Sequence, residues 1–256
     1  MVGQELKMGM QSNELQASRY ELKFLIGEAT AVSVRNFVRA YLDPDPFMSA
    51  VGPKGYVVES LYMDTPNQAC YRQTKDGVRN RYKLRIRTYE DGAASPAFLE
   101  VKKRTADTIH KARAAIAQSA VTDLLSGRAG SPIELIDSTS EKRRSLELFR
   151  RKMAEIGARP SAFVRYVREA YVPRAGNVAR VTFDRGLTGA DYSGTFERPD
   201  GDWRPAMGRG QVVMELKFTE RFPVWMRELT HTFGLRRSPF PKYVHCVDAL
   251  KVNLVK

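Results

Sequence analysis

The sequence predicts an α+β fold, in which an antiparallel eight-stranded β-barrel has helices packed on its outside. About eight segments of the 256 residues show the two-residue alternation of a half-buried strand, and helical segments stand between them. One segment, 81–87, alternates Arg or Lys with Tyr, Leu or Ile without a break. Three other segments carry Glu-x-Lys opposite apolar residues. Long antiparallel strands in a domain of this size favour a barrel or a strongly curved sheet.

The elements of the first half follow from periodicity and turn residues. A strand is expected over Arg19–Ile26 and a helix over Glu28–Leu42, which Asp43-Pro44-Asp45-Pro46 should end. Asp64-Thr65-Pro66-Asn67 marks a turn after the next strand. The remaining strands are predicted at 55–64, 81–87, 97–103 and 109–117.

The second half mixes strong helix signals with long strands. Ser140–Ile156 has apolar residues at helical spacing, and Gly157 is suited to cap it. A short helix over Val121–Ser126 should close at Gly127. Strands are expected at 161–172, 178–187 and 211–219, and final helices at 223–233 and 243–254. We expect one domain over 19–256 behind a short disordered leader, 1–18, that is too polar for a secretory signal.

Composition indicates a polyanionic partner. Lys and Arg number 42 against 29 Asp and Glu, which gives a net charge of +13. Cys70 and Cys246 are the only cysteines, so neither a disulfide framework nor a zinc cluster is indicated, and a reducing cytoplasm fits. No stretch approaches the roughly 20 apolar residues of a membrane span.

Charged residues recur on one face of several strands. Glu21 shares a strand face with Lys23, and the same spacing returns at 100/102 and 215/217. In a barrel these faces would line the lumen, where Arg and Lys bind phosphate oxygens and carboxylates hold a hard divalent cation. A solvated face would explain any one of these strands, but three matched repeats favour an enclosed anion site.

An ordered set of motifs carries a resemblance to a known family. The motifs are Arg-Tyr-Glu-Leu-Lys-Phe (19–24), Leu-Tyr-Met-Asp-Thr (61–65), Lys-Leu-Arg-Ile-Arg-Thr-Tyr (83–89), Phe-Leu-Glu-Val-Lys (98–102), Lys-Ala-Arg (111–113), Val-Met-Glu-Leu-Lys-Phe (213–218) and Pro-Lys-Tyr-Val-His (241–245). Together they resemble the VTC domain, the polyphosphate polymerase branch of the CYTH-like triphosphate tunnel metalloenzymes. The resemblance covers about Arg19 to Val252.

The resemblance implies a fold, an activity and a set of residues. It implies an eight-stranded tunnel that uses ATP and Mn²⁺ or Mg²⁺ to extend inorganic polyphosphate. It assigns phosphate contacts or catalytic roles to Lys23, Arg85, Arg87, Lys102, Lys111, Arg113, Arg165, Arg180, Lys217 and Lys242. Glu215 matches the metal-binding carboxylate, and Glu21 and Glu100 are expected either to support the metal or to orient basic residues.

One position departs from the family pattern. Pro241 stands where Ser is expected, which removes a hydroxyl and a backbone N–H and puts one phosphate contact in doubt, although Lys242 remains. The chain also lacks the phosphate-sensing and membrane-spanning domains that accompany this domain in fungi. We therefore expect that any polymer export would need a membrane-associated partner.

Three other functions stay open at this point. A triphosphatase of the same fold would use water as the attacking group, acting on tripolyphosphate or a nucleoside triphosphate. A non-catalytic polyphosphate or inositol-phosphate binding module would not need the carboxylate at Glu215. A nucleic-acid binder would fit the basic charge and Tyr82 and Tyr89, but carboxylates on the same faces would repel its backbone.

Overall fold

The computed structural model describes residues 19–52, 54–89, 95–105, 108–126, 133–174, 179–197, 199 and 201–252. The strands are β1 Arg19–Gly27, β2 Asp43–Pro44, β3 Tyr56–Asp64, β4 Arg81–Tyr89, β5 Ala97–Thr105, β6 Thr108–Ile116, β7 Arg159–Val172, β8 Ala179–Asp191, β9 Arg204–Pro205 and β10 Gln211–Thr219. The helices are α1 Glu28–Val38, α2 Pro46–Val51, α3 Ala69–Lys75, α4 Ala120–Leu125, α5 Ser140–Ile156, α6 Val224–Thr232 and α7 Lys242–Lys251. The predicted leader, 1–18, and the predicted cap at Gly127 lie outside the described residues.

The sheet confirms the predicted fold class. Within the described residues, eight long strands hydrogen-bond in the order β1-β10-β8-β7-β3-β4-β5-β6, and the short strands β2 and β9 join β7 and β8. The paired strands run antiparallel, from β1 on β10 to β5 on β6. The protein is therefore an α+β fold built on an antiparallel eight-stranded sheet, with helices packed against it.

The chain forms two compact units. Unit 1 contains the described residues within 1–56, 166–186 and 207–240, and unit 2 contains those within 57–165, 187–206 and 241–256. Strands β7 and β8 contribute residues to both units. The expectation of a single domain over 19–256 stays a prediction. Among the described residues, no helix is long and apolar enough to cross a membrane.

Unit 1 is built on β1, β10 and β8. Helix α1 contacts both β1 and β10, and it buries Ala31, Val34 and Val38. It ends at Val38 rather than at the predicted Leu42, because the chain turns there toward β2. The next helix, α2, was not predicted: Asp45 caps it by accepting a hydrogen bond from the Met48 N–H at 3.0 Å.

Unit 2 has a continuous hydrophobic core behind β3, β4, β5 and β6. The core includes Leu61, Leu84, Ile86, Leu99 and Phe149, each at most 1% exposed. Helix α5 packs against β5 and β6 and begins and ends where the sequence predicts. Its C-cap, Gly157, has a φ of 58°, the left-handed conformation that glycine adopts without steric cost.

Candidate functional site

Unit 2 carries a charged face on its central strands. On β4, alternation buries Leu84 and Ile86 in the core and sends the cations Arg81, Lys83 and Arg85 to the other side, together with Arg87. The strand register extends this face over β5 and β6 in three rows, Arg81/Arg104, Lys83/Lys102/Lys111 and Arg85/Glu100/Arg113. We call these residues, with Arg87, the unit 2 charged face.

Glu100 is the one carboxylate of this face, and it is 1% exposed. Arg85 donates from Nε to its Oε2 at 2.6 Å, and its Nη2 lies 2.6 Å from the same oxygen. Lys111 Nζ lies 2.7 Å from Oε1, and Arg113 Nε lies 3.4 Å from it. Burial would raise the pKa of Glu100, but Arg85 and Lys111 outweigh it and hold that pKa well below its usual range. Of the two roles that we considered for Glu100, these ion pairs favour the orientation of basic residues.

Two hydroxyl side chains on β3 position the arginines of β4. Arg85 donates from Nη1 to the Tyr62 hydroxyl at 3.0 Å, and Arg87, only 5% exposed, donates from Nε to Ser60 at 3.2 Å. The ring of Tyr62 stacks on that of Tyr243, with centroids 4.6 Å apart. Tyr62 and Ser60 were not predicted, because the sequence patterns that indicate the site are patterns of charge, and these two residues contact charged side chains without carrying charge.

Lys242 begins α7 and is 8% exposed. Burial would raise the pKa of Tyr62, but Arg85, Arg87 and Lys242 together lower it, which places Lys242 in the same positive field. Pro241 is the N-cap of α7 and supplies no side-chain hydrogen bond there. A serine at an N-cap can accept a hydrogen bond from the first turn, so the departure from the family pattern falls where a hydroxyl would have had a role.

Lys111 and Lys102 complete the phosphate-binding candidates of unit 2. Loss of water and the charge of Arg113 lower the pKa of Lys111 to about 7, although Glu100 raises it. The Lys111 side chain is 42% exposed, so it can reach a solvent-borne anion. Lys102 is half-buried and lies between Lys83 and Lys111 in the strand register.

Unit 1 carries a second charged face, on β1, β10 and β8. Glu215, only 4% exposed, is its centre. Lys217 Nζ lies 2.7 Å from Glu215 Oε2, and Lys23 Nζ lies 3.3 Å from Oε1. Burial and the positive charges of Arg168 and Arg180 lower the pKa of Lys217 to about 8. The charge of Glu215 raises this pKa but only partly offsets them. We call Glu21, Lys23, Arg168, Arg180, Thr182, Asp184, Glu215 and Lys217 the unit 1 charged face.

Arg168 was not predicted, and Arg165 was named in its place. Arg168 binds Asp184 through two hydrogen bonds of 2.7 Å and lies 3.8 Å from Glu215. Burial opposes its charge, but Asp184 outweighs it and raises the pKa of Arg168 well above its usual range. Glycine at position 55 allows the backbone to approach Arg168 closely, because a Cβ on it would come within 2.4 Å of the Arg168 carbonyl oxygen.

Arg165 lies in different surroundings, within unit 2. It shares a strand face with the core residue Phe163, and its guanidinium lies 5.5 Å from the ring centroid of Trp203. Arg165 and Arg168 are three residues apart, so they point to opposite faces of β7. If Phe163 is taken as a core residue, the two-residue alternation of β7 places Arg165 on the core face and Arg168 on the opposite face. Phe163 is therefore the residue that could have identified Arg168 from the sequence.

Asp45 orients the side chain of Arg180 on β8. Its Nη2 donates to Asp45 Oδ2 at 2.6 Å, and its register partner on β10 is Lys217. Asp45 therefore both caps α2 and orients a cation of the unit 1 charged face.

The carboxylates of unit 1 fit a divalent cation. Lys23 Nζ lies 3.2 Å from Glu21 Oε1 and 3.3 Å from Glu215 Oε1, so oxygens of both carboxylates converge on one positive group. Among the described residues, no three His, Cys, Asp or Glu side chains form a metal cluster. Mg²⁺ is commonly held by one or two carboxylates together with phosphate oxygens and water, so this pair suffices when a phosphate supplies further ligands.

The structure thus brings most of the predicted residues together in two sets. Unit 1 assembles Lys23, Arg180, Lys217, Glu21 and Glu215, and unit 2 assembles Arg85, Arg87, Lys102, Lys111, Arg113, Glu100 and Lys242. Arg165 belongs to neither set, and its guanidinium lies 5.5 Å from the ring centroid of Trp203.

Comparisons with known proteins agree with the motifs. The family model of the VTC domain matches residues 18–251. No curated protein matches the chain in sequence. Among solved structures, a proposed adenylate cyclase from Vibrio parahaemolyticus aligns with a TM-score of 0.46 and 13% identity over 92% of this chain and 100% of its own. Because the family model spans all the motif residues and nearly all the described ones, this chain belongs to the VTC domain family.

Proposed function

We propose that this protein is a metal-dependent polyphosphate polymerase, which transfers the γ-phosphate of ATP to the end of an inorganic polyphosphate chain. One observation carries the proposal: on β4, β5 and β6 the unit 2 charged face has eight Lys and Arg and a single carboxylate. Like charges on directly opposed strand positions destabilise a sheet. A polyanion lying along these rows would neutralise them, which is why a polyphosphate substrate fits this face.

Phosphoryl transfer asks the protein chiefly for alignment and charge neutralisation. Arg85 and Arg113, fixed by Glu100, and Arg87, fixed by Ser60, present oriented guanidinium groups to phosphate oxygens. In unit 1, Arg168 and Arg180 are held in the same way by Asp184 and Asp45. Pre-oriented donors lose little freedom when the substrate binds, so the binding energy goes into alignment.

Glu215 and Glu21 are the residues that would hold Mn²⁺ or Mg²⁺. When bound, the metal neutralises developing charge on the phosphate oxygens. Lys23 and Lys217, each about a quarter exposed, would then turn from Glu215 to the phosphates.

The transfer step needs no covalent intermediate on the protein. An oxygen of the terminal phosphate of the chain forms a bond to the γ-phosphorus of ATP. The bond between that phosphorus and the oxygen bridging to the β-phosphate breaks, and ADP leaves with the bonding electron pair. We find no need for a Ser, Cys or His nucleophile in this chemistry.

The test is incubation of the purified protein with ATP and Mn²⁺, with gel staining for long polyphosphate and a parallel assay for free phosphate. Long polymer with ADP in equal amount to the phosphate incorporated supports the proposal. Free phosphate without polymer would instead show a triphosphatase, and tight tripolyphosphate binding without turnover would show a binding module. The Glu215→Gln variant should lose turnover and keep a cooperative unfolding transition, and Glu155→Gln, an exposed change on α5, should retain full activity.

A further inference from the structure

Thr182 on β8 has a buried hydroxyl that the fold leaves without a partner. The residue is 0% exposed, and its Oγ1 makes no hydrogen bond to any described residue. A buried hydroxyl with no partner is unfavourable, and valine has the same shape without that cost. At this position the hydroxyl is therefore available to a group other than the described protein atoms.

The surroundings of Thr182 show what that group is. In the strand register Thr182 lies directly opposite Glu215, the carboxylate at the centre of the unit 1 charged face. Its same-face neighbours on β8 are Arg180 and Asp184, two residues away on either side. The hydroxyl therefore lies in the floor of the proposed phosphate-binding and metal-binding face.

A second unpartnered group lies next to it. The Nε of Arg180 is buried and makes no hydrogen bond to any residue in the described ranges, although Nη2 of the same side chain binds Asp45. An arginine Nε can only donate, and so can the ammonium of Lys217, the register partner of Arg180. A ligand that satisfies these groups must accept hydrogen bonds, and an oxyanion does so.

We propose that Thr182 is a further substrate-positioning residue, whose hydroxyl donates a hydrogen bond to a phosphate oxygen held beside Glu215, with Arg180 Nε donating to the same phosphate group. This inference rests on the proposed function, because it names an additional contact of the same site. Thr182 was outside the set that the sequence motifs identified, because a neutral residue adds nothing to a charge pattern.

The experiment compares Thr182→Val, Thr182→Ser and Thr74→Val. Thr74, on α3 in unit 2, is 7% exposed, and its Oγ1 also has no partner among the described residues, so it is a matched control that belongs to neither charged face. Tripolyphosphate binding is measured by calorimetry with and without Mg²⁺, and thermal unfolding is measured without ligand. We expect Thr182→Val to weaken tripolyphosphate binding about tenfold, as loss of one hydrogen bond to a charged group would do. Thr182→Ser and Thr74→Val should bind as the wild type does.

Unfolding without ligand separates positioning from a structural role. Replacing an unsatisfied hydroxyl by a methyl group should leave the midpoint of Thr182→Val unchanged or raise it by about 2–4 °C. A lower midpoint with unchanged binding would show that the hydroxyl has a structural partner and would overturn the inference. If the wild type binds tripolyphosphate and Thr182→Val binds it equally tightly, the inference is also overturned. If the wild type does not bind tripolyphosphate at all, both the inference and the proposed function are overturned.

Discussion

Replacing Glu100 by Gln removes the one negative charge of the unit 2 charged face and keeps the shape of the side chain. Glu100 is 1% exposed, and Arg85 and Lys111 both lie within 2.7 Å of its oxygens. In the variant these cations and Arg113 remain side by side without a counterion. We expect this single change to destabilise the protein and, at the same time, to increase its affinity for a polyanion.

The magnitude follows from the ion pairs. At an effective dielectric constant of 20, two unit charges about 4 Å apart attract by about 4 kcal/mol before desolvation is subtracted. The cost of burying the carboxylate offsets several kcal/mol of this attraction. Water also weakens the attraction between Glu100 and Lys111, whose side chain is 42% exposed. Removing one partner of a buried pair costs about 3–5 kcal/mol, and we expect Glu100→Gln to fall in this range.

The assay is urea unfolding of the wild type and Glu100→Gln, each with and without tripolyphosphate. The variant lacks the carboxylate that repels the ligand, so it should bind tripolyphosphate about tenfold more tightly. Tripolyphosphate should therefore raise the free energy of unfolding of the variant by more than it raises that of the wild type. Glu155→Gln, which removes an exposed ion pair on α5, is the control and should unfold as the wild type does. The reasoning is refuted if Glu100→Gln is as stable as the wild type, or if tripolyphosphate stabilises it less.

The pH dependence of this difference has a definite sign. The folded-state pKa of Glu100 lies well below its ordinary value, so its contribution is complete above about pH 4.5 and is lost as the pH falls through the folded-state pKa. The part of the stability difference between the wild type and Glu100→Gln that comes from the ionised carboxylate should therefore shrink as the pH falls from about 4.5 through the folded-state pKa of Glu100. At higher pH the difference also varies with the protonation of Lys111, because Glu100 raises the pKa of that amine. A difference that kept growing below about pH 4.5 would contradict the lowered pKa of Glu100.

Three further predictions concern other parts of the site. The double variant Arg81→Gln/Arg104→Gln should weaken the binding of long polyphosphate at least fivefold in calorimetry and leave tripolyphosphate binding unchanged, because these opposed cations lie at one end of the rows. Tripolyphosphate binding should weaken as the pH rises from 7 to 9, since the pKa of Lys111 is lowered to about 7 and only the protonated amine attracts phosphate; calorimetry in two buffers should detect proton uptake. Arg168→Met should lower the free energy of unfolding by about 3–5 kcal/mol, because the buried carboxylate of Asp184 loses its partner; a variant that unfolds in urea with the same free energy as the wild type would contradict the importance of this buried pair.

Strand β4 was predictable because one of its faces is apolar and the other is charged. On β4 the alternation of cations with Leu84 and Ile86 fixed both the element and its orientation, and Ser140–Ile156 was predicted at both ends from its caps and spacing. The helices α2 and α3 were missed, since each is shorter than two full turns and its first-turn N–H groups are bound by side chains that precede it, Asp45 for α2 and Asp64 and Thr65 for α3. Asp64, for example, accepts hydrogen bonds from the backbone N–H groups of Cys70 and Tyr71, a contact across six and seven residues that leaves little periodic signal.

The charged residues of the site were predictable in kind, but their contacts were not. Periodicity gave the faces that carry Glu100 and Glu215, yet it could not show that one carboxylate is enclosed by guanidinium groups while the other shares Lys23 with Glu21. That difference depends on which strands are neighbours, and strand order is a long-range property of the sheet. It decides which carboxylate lies among arginines and which lies beside a second carboxylate.

Two tyrosines beside the unit 2 charged face lie in the positive field of its arginines. Burial would raise the pKa of Tyr89, but Arg113 and Arg87 lower it to about 7, and Tyr62 is lowered by Arg85 and its neighbours in the same way. Positive charge lowers the pKa of a phenol because it favours the phenolate, and a bound polyanion would oppose that effect. Binding a polyphosphate should therefore raise the pKa of both tyrosines, and an ultraviolet titration of phenolate that was unchanged by tripolyphosphate would count against a site on this face.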